Sequence, residues 1–314
     1  MRYINELREG DNVAGIYLCK QKTIQKTKAG KTYYSLILQD KTGVIDTKIW
    51  ELNNGIDNFE QMDYIRVDGN VTSFQGSLQM NVRRLRRARE GEYLPQDYIP
   101  CSAYDIDKMY RELSDYVNSV QNPHLRKLLV AFFGSQDFAG KFKGHSAAKR
   151  VHHGFMGGLL EHTLHVTRLC DFYCEQYPVL NRDLLITAAI CHDIGKIHEL
   201  SEFPENDYTD EGQLIGHIVI GTMMVDEKIR TITGFPPKLA NELKHCILAH
   251  HGELEYGFPK RPALIEALAL NFADNTDAKM ESFMEALAEE NRQSGEWRGY
   301  NKLFESNIRA TSGK

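Results

Sequence analysis

From Asn12 to about Arg89 apolar residues alternate with polar ones in short runs, and beyond Pro95 and Pro100 they recur every third or fourth position. The first pattern predicts strands over 12–22, 32–39, 44–50, 64–74 and 77–85. Turn residues separate them: Lys26–Lys31 around Ala29-Gly30, Asp40-Lys41-Thr42-Gly43, and Gln75-Gly76. Residues 51–61 are polar and are expected to hold a short helix. The second pattern predicts an amphipathic helix from Ser102, as N-cap, to Val120, with Ile106, Met109, Leu113 and Val117 on one face. Another helix is predicted to begin at Pro123, and further ones over 155–177, 182–195, 213–231, 237–250 and 262–288. No internal repeat is evident, and residues 291–314 form a polar tail.

Five strands with a short helix between the third and fourth, in so few residues, is the layout of an OB-fold barrel. The expected architecture is therefore multidomain α+β: a five-stranded β-barrel over 1–95, a helical connector over 96–150, an all-α domain over 151–290, and the tail 291–314. The length of 314 residues allows two such cores.

Charge and histidine content divide along the same line. Residues 12–89 carry 13 Lys or Arg against 7 Asp or Glu, although the whole chain has a net charge of -5. All 12 histidines lie between His124 and His251. A hydrophobic fraction of 42% and a charged fraction of 26% exclude a disordered or collagen-like chain. No run of 18 apolar residues occurs, and the first residues show no basic region followed by an apolar stretch, so the expectation is a cytoplasmic protein outside any membrane. Six cysteines without C-x-x-C spacing suit reduced, buried thiols better than a disulfide or zinc-thiolate framework.

The strongest chemical signal is His192-Asp193, followed by Ile194-Gly195-Lys196, at the end of the apolar run Leu184 to Cys191. An imidazole and a carboxylate placed together after such a run cost desolvation energy unless both are bound to something, and a metal ion is the economical partner. A lone histidine on an apolar helix is ordinarily a hydrogen-bonded packing residue. Here His162, His217, the pair His250-His251 and Asp274 lie on separate predicted helices, which is how a helical core assembles a metal site. The N,O-rich set without thiolate suits Mn²⁺, Fe²⁺, Co²⁺ or Ni²⁺ as well as Zn²⁺. Two metals bridged by one carboxylate serve hydrolytic attack at phosphorus, and Asp193 is the natural bridge. His165, one turn from His162, and His152-His153 are candidates for orienting a ligand or meeting substrate. His124, His145, His198 and His245 read as surface or packing residues.

The arrangement H…HD…H…HH…D, with Gly157-Gly158-Leu159-Leu160-Glu161-His162-Thr163, resembles the HD superfamily of metal-dependent phosphohydrolases over about residues 150–285. The resemblance implies two divalent ions, one held by His162, His192, Asp193 and Asp274, the other by Asp193, His217, His250 and His251. It also implies that Lys196 contacts substrate phosphate, making Asp193 and Lys196 the catalytic residues. His251-Gly252 and Tyr256-Gly257-Phe258-Pro259 are similar to the signature of HD-type cyclic-dinucleotide phosphodiesterases, but Gly252 and Phe258 stand where that signature has Glu and Tyr.

The barrel segment combines a cationic surface with aromatic side chains, the ingredients of single-stranded nucleic-acid binding. The candidates are Lys20, Lys22, Lys28 and Lys31 around the first two strands, Tyr33, Trp50 and Phe74, and Arg83, Arg84, Arg86 and Arg87 on the last strand. In the second strand Tyr34, Leu36 and Leu38 share one face, so Tyr33 is the tyrosine available for stacking. An arginine run is often only a solvated edge, and Trp50 could equally be core. Asp40 through Trp50 nevertheless resembles the second-to-third strand segment of nucleic-acid-binding OB-folds. A barrel of this kind ahead of an HD domain is similar to the YhaM family of bacterial 3′-to-5′ exoribonucleases. That resemblance implies Mn²⁺-supported trimming of single-stranded RNA, some action on single-stranded DNA, release of nucleoside 5′-monophosphates, and homo-oligomeric assembly. The competing readings are an HD phosphohydrolase of nucleotides or cyclic dinucleotides with a regulatory barrel, and a nucleic-acid-binding factor with a vestigial metal site.

Overall fold

The structure is a computed structural model that describes residues 2–53, 55–149, 153–252, 260–288 and 296–312. His152 and the segment 253–259, which includes Tyr256 to Pro259, lie outside the described residues. The chain divides into two compact units, Met1–Cys101 with Phe203–Glu205, and Ser102–Glu202 with Asn206–Lys314.

The first unit is a closed barrel of β1 (Asn12–Lys26), β2 (Thr32–Asp40), β3 (Gly43–Ile49), β4 (Tyr64–Phe74) and β5 (Ser77–Arg87). Its order is β1-β2-β3-β5-β4, with β4 returning to β1 and the β3–β5 pairing parallel, which is the OB-fold topology. Leu36, Leu38, Ile45, Ile49, Ile65, Val67 and Met80 fill the interior. The helix expected over 51–61 is absent among the described residues there. Asn53, Gly55 and Asn58 favour turns, Ile56 bridges to Leu85, and Phe59 is buried against the barrel core. Gly69 lets β4 and β5 approach closely, since a Cβ on it would lie 2.3 Å from the Asn81 carbonyl oxygen. The register shifts at this point, with Asp68 opposite Arg84 and Gly69 opposite Val82. Arg83 is therefore the extra residue of a bulge, and Arg83 and Arg84 are both exposed although they are consecutive.

The second unit is helical: α1 (Ile106–Ser119), α2 (Pro123–Phe133), α3 (Gln136–Gly144), α4 (Gly158–Gln176), α5 (Arg182–Cys191), α6 (Lys196–Glu199), α7 (Asp210–Leu214), α8 (His217–Arg230), α9 (Pro237–Ala249) and α10 (Ile265–Ala288). Asp105 rather than Ser102 caps α1, its side chain accepting from the Lys108 amide at 2.8 Å. Ser102 instead donates to Glu161. The helices of 106–144 share one apolar core with those after 158, through Leu113, Leu128, Phe132 and Phe142 among others. Residues Leu184 to Cys191 of α5 are all buried, so α5 runs through the centre of this core. The tail adds a hairpin, β6 (Trp297–Asn301) with β7 (Ser306–Arg309), which packs on α10 through Phe283 and Phe304.

Candidate metal centre

Three separate helix ends and two helix faces bring the histidines and aspartates together. α5 ends at His192 and α9 ends at His250, and each ring donates from Nδ1 to the carbonyl three residues back, Ala189 and Ile247, both at 2.7 Å. These carbonyls belong to the last helical turn, which has no helical donor for them, so the side chain satisfies the helix end and is fixed by it. His217 opens α8 after Gly216 and donates from Nδ1 to Glu199 Oε1 at 2.8 Å. On α4 His162 donates from Nδ1 to Asp277 Oδ2 at 2.7 Å. In all four rings the proton is thereby assigned to Nδ1, and the Nε2 lone pair points into a common centre.

Asp193 occupies that centre and is 1% exposed. Its Oδ2 lies 3.4 Å from Nε2 of His162 and of His192, and its Oδ1 lies 3.4 Å from His217 Nε2 and 3.8 Å from His250 Nε2. Asp274 repeats the division, with Oδ1 3.1 Å from His162 and Oδ2 3.8 Å from His251. The donor atoms therefore form two groups, one on each side of Asp193. Gly195 makes the arrangement possible by letting α8 approach closely, because a Cβ there would lie 2.0 Å from the His217 carbonyl oxygen and 2.6 Å from the Gly221 nitrogen. Lys196 Nζ is 2.6 Å from Asp193 Oδ2.

This donor set fits a divalent metal. Asp193 Oδ1, His217 Nε2 and His250 Nε2 are buried with no hydrogen-bond partner among the described residues, and each such atom costs about 1–3 kcal/mol if nothing meets it. His162 Nε2 and His192 Nε2 face one another at 3.2 Å. Lone pairs and carboxylate oxygens that converge this way repel unless a cation lies between them. The electrostatics agree. Burial opposes ionisation of Asp193, yet Lys196 and His192 beside it hold its carboxyl well below the usual range. Burial likewise opposes a charged His162, but Asp274 and Asp277 raise its pKa to about 10, so this point attracts positive charge. Burial lowers His250 and brings His251 down to about 4, leaving both neutral.

His153 and His165 do not reach this centre. Both donate to Asp277, His153 from Nε2 and His165 from Nδ1, each at 3.0 Å. Sequence reasoning missed Asp277 and Glu199, the carboxylates that orient His162 and His217. The available signal was spacing, since Asp277 follows Asp274, and Glu199 follows Lys196, by three residues on one helical face. Of the remaining histidines, His145 is buried between the Ser146 and Leu200 carbonyls as a packing residue.

On the barrel, Tyr33 and Trp50 stack with ring centroids 4.6 Å apart. Trp50 is 42% exposed, and its Nε1 donates to Asn81. Phe74 is exposed at the β4–β5 turn, and Lys20, Lys28 and Lys31 are exposed. Lys22 differs: its ammonium donates to the Phe59 carbonyl and lies over the Tyr34 and Phe59 rings. Arg86 is bound by both Glu92 oxygens at 2.8 Å, and Arg87 pairs with Asp63.

A family model described as HD domain matches residues 159–279. The 3′-5′ exoribonuclease YhaM of Geobacillus sp. (strain WCH70) is 34% identical over 282 residues, spanning 88% of this chain and 86% of the relative. That of Shouchella clausii (strain KSM-K16) is 33% identical over 297 residues, spanning 94% and 91%. Among solved structures, the second OB-fold domain of replication protein A from Methanococcus maripaludis is 21% identical, covering 30% of this chain and 97% of that domain with a TM-score of 0.23.

Proposed function

The chain belongs to the YhaM family of 3′-5′ exoribonucleases and is a metal-dependent hydrolase of that kind, and from this premise we propose how its residues divide the work. His162, His192, Asp193 and Asp274 hold one divalent ion, and Asp193, His217, His250 and His251 hold a second, with Mn²⁺ the expected metal and Co²⁺, Fe²⁺ or Ni²⁺ compatible with the same donors. The observation that carries this reading is the convergence of buried Nε2 lone pairs on the two oxygens of Asp193. Ions bound there supply Lewis acidity toward the phosphoryl group and a nucleophile from water near neutral pH.

The chain's own residues do the rest. Asp277, Glu199 and the Ala189 and Ile247 carbonyls keep the four rings in the tautomer that offers Nε2 inward. Lys196, held against Asp193, offsets the charge that grows on the phosphoryl oxygens. Water adds to the terminal phosphodiester, the P–O3′ bond breaks, the 3′ oxygen of the preceding nucleotide leaves as a hydroxyl, and a nucleoside 5′-monophosphate is released.

Single-stranded nucleic acid is bound by the barrel unit in this reading, with Tyr33 and Trp50 as the stacking platform and Lys20, Lys28, Lys31, Arg83 and Arg84 on the phosphates. Single-stranded DNA is a second substrate. The functional division runs as barrel 1–95, connector 96–150, catalytic domain 151–290 and tail 291–314, with connector and tail buttressing the catalytic helices. Assembly into a homo-oligomer is supported by exposed Phe172, Tyr177, Leu268 and Phe272 on α4, α10 and the residue after α4. Free cysteines and the absence of any described helix long and apolar enough to cross a membrane support action in the cytoplasm. The decisive variant is Asp193→Asn, which keeps the volume. It should abolish nuclease activity and lose bound metal while melting normally in chelator. Full activity with full metal content contradicts the assignment.

A further inference from the structure

Beyond the Nδ1 edge of the His162 ring lies a second group of donors that the reaction does not use. Asp277 Oδ2 accepts from His162 Nδ1 and also from His153 Nε2. Because a carboxylate only accepts, the His153 proton sits on Nε2 and its Nδ1 carries the lone pair. The His153 side chain is 1% exposed, and this Nδ1 is buried with no hydrogen-bond partner among the described residues. It faces Glu161 Oε1 at 3.8 Å, and one atom each from His153, Glu161 and Glu281 lies within 4.8 Å of the others.

A lone pair turned to the Glu161 carboxylate, with the Glu281 carboxylate in the same cluster, is repulsive unless positive charge stands among them. The 3.8 Å separation is too long for a hydrogen bond. It does match the span of two ligands on one ion, since nitrogen and carboxylate oxygen each sit at roughly 2.0–2.2 Å from a bound metal. We propose that His153 Nδ1, Glu161 and Glu281 form a cation site separate from the catalytic pair, which takes one divalent ion of the class that accepts mixed nitrogen and carboxylate donors, Mn²⁺ or Zn²⁺. A doubly charged ion neutralises the two carboxylates that the fold brings together there.

The surroundings are built to hold these groups. His153 adopts a left-handed backbone with φ of 56°, a conformation uncommon for a residue other than glycine. Its carbonyl is fixed by the Ala147 amide at 3.0 Å and by the start of α4, where a Cβ on Gly158 would lie 2.0 Å from the same oxygen. Glu161 Oε2 accepts from Ser102 Oγ at 2.5 Å, so that Oε1 is the oxygen turned to His153. On α10 Asp274, Asp277 and Glu281 follow at intervals of three and four residues, so one helical face serves both the catalytic centre and this site. Asp277 joins them, because an ion on His153 Nδ1 locks the same tautomer that donates to the oxygen orienting His162.

The test is crystallographic and uses the full chain. Crystals grown with Mn²⁺, and others with Zn²⁺, are expected to show an anomalous difference peak at coordination distance from His153 Nδ1 in at least one of the two, separate from any peak at Asp193. No peak beside His153 with either metal overturns the proposal. The two sites are read independently, so a failure at Asp193 does not bear on the result at His153. In solution Glu281→Gln, which alters a half-buried side chain without changing its size, should weaken one class of site for the metal seen beside His153, Mn²⁺ or Zn²⁺, by about tenfold or more, with melting in chelator unchanged. Where the crystals show Mn²⁺ beside His153, unaltered Mn²⁺ stoichiometry and affinity in that variant also overturn it; where they show only Zn²⁺ there, unaltered Zn²⁺ binding in the same variant does so. If Glu281→Gln melts early in chelator, the crystallographic result on the unmodified chain decides.

Discussion

Asparagine in place of Asp277 perturbs the centre without touching any proposed ligand of the catalytic ions. Asp277 receives three ring N–H groups, from His162 at 2.7 Å and from His153 and His165 at 3.0 Å. Burial opposes its ionisation, but the bonds from these three histidines hold its carboxyl far below the usual range, so it is a carboxylate throughout the working pH range. Asparagine offers one oxygen and an amide that only donates. If the oxygen stays with His165, the amide meets the His162 N–H, and the imidazole must either lose its partner or move its proton to Nε2. That second tautomer blocks the lone pair that points at Asp193 and Asp274. A hydrogen bond to a charged group contributes about 1.5–3 kcal/mol, and an orienting carboxylate is worth about 10–100-fold in metal affinity. Asp277→Asn should therefore shift the Mn²⁺ midpoint of nuclease activity upward by about 10–100-fold, with the maximal rate largely recovered at saturating metal. Titration of RNA shortening against free Mn²⁺, paired with calorimetric metal binding, measures this. An unchanged midpoint with a reduced maximal rate would refute the reasoning, because the effect would then lie in chemistry rather than in ligand orientation.

Three further expectations follow from other parts of the chain. Gly195→Ala would drive a methyl into the His217 carbonyl, and the displaced imidazole should lower activity by about 100-fold or more with every ligand still present; an active variant would mean α8 gives way without moving His217. Trp50→Ala should weaken binding of single-stranded RNA by about 1–3 kcal/mol, measured by fluorescence anisotropy, and leave cleavage of dinucleotides unchanged; equal loss on both substrates would argue against a stacking role. Arg168 binds both Glu112 oxygens and holds its carboxyl below the ordinary value of 4.5, so the pair stabilises the fold above that pH and ceases to do so as the pH falls through the lowered folded value. Because both side chains are more than a third exposed and screened by solvent, Arg168→Gln should cost less than about 1 kcal/mol near neutral pH by denaturant melts, and nothing in strong acid.

The barrel strands were legible because alternation along β2 and β3 puts Leu36, Leu38, Ile45, Thr47 and Ile49 inside. Alternation failed where both faces are covered. Ile16 to Cys19 are all buried, and Tyr17, one of the aromatics on the strands, is sealed in the core with its hydroxyl on the Arg2 carbonyl. The bulge at Arg83 and the irregular course of 51–61 depend on pairing with distant strands, which no local window contains. In the helical unit His192-Asp193 stood out because an apolar run ends on two polar groups. Asp277 and Glu199 did not, since a carboxylate on a helix is usually only solvated, and their meaning comes from the rings that α4 and α8 bring to them. The tail hairpin was missed because its strands pair with each other and pack on α10 with little apolar alternation of their own.

The central claim is a metal-dependent centre at Asp193 that removes nucleotides one at a time from the 3′ end of a single strand. A time course on 5′-labelled single-stranded RNA, first in chelator, then with Mn²⁺ and with Mg²⁺, and resolved by product length, tests it directly. The account predicts intact RNA in chelator and, with Mn²⁺, a ladder of labelled products that shortens progressively from the 3′ end. Immediate release of the label as a mononucleotide, internal cuts, or no shortening with either metal would contradict it.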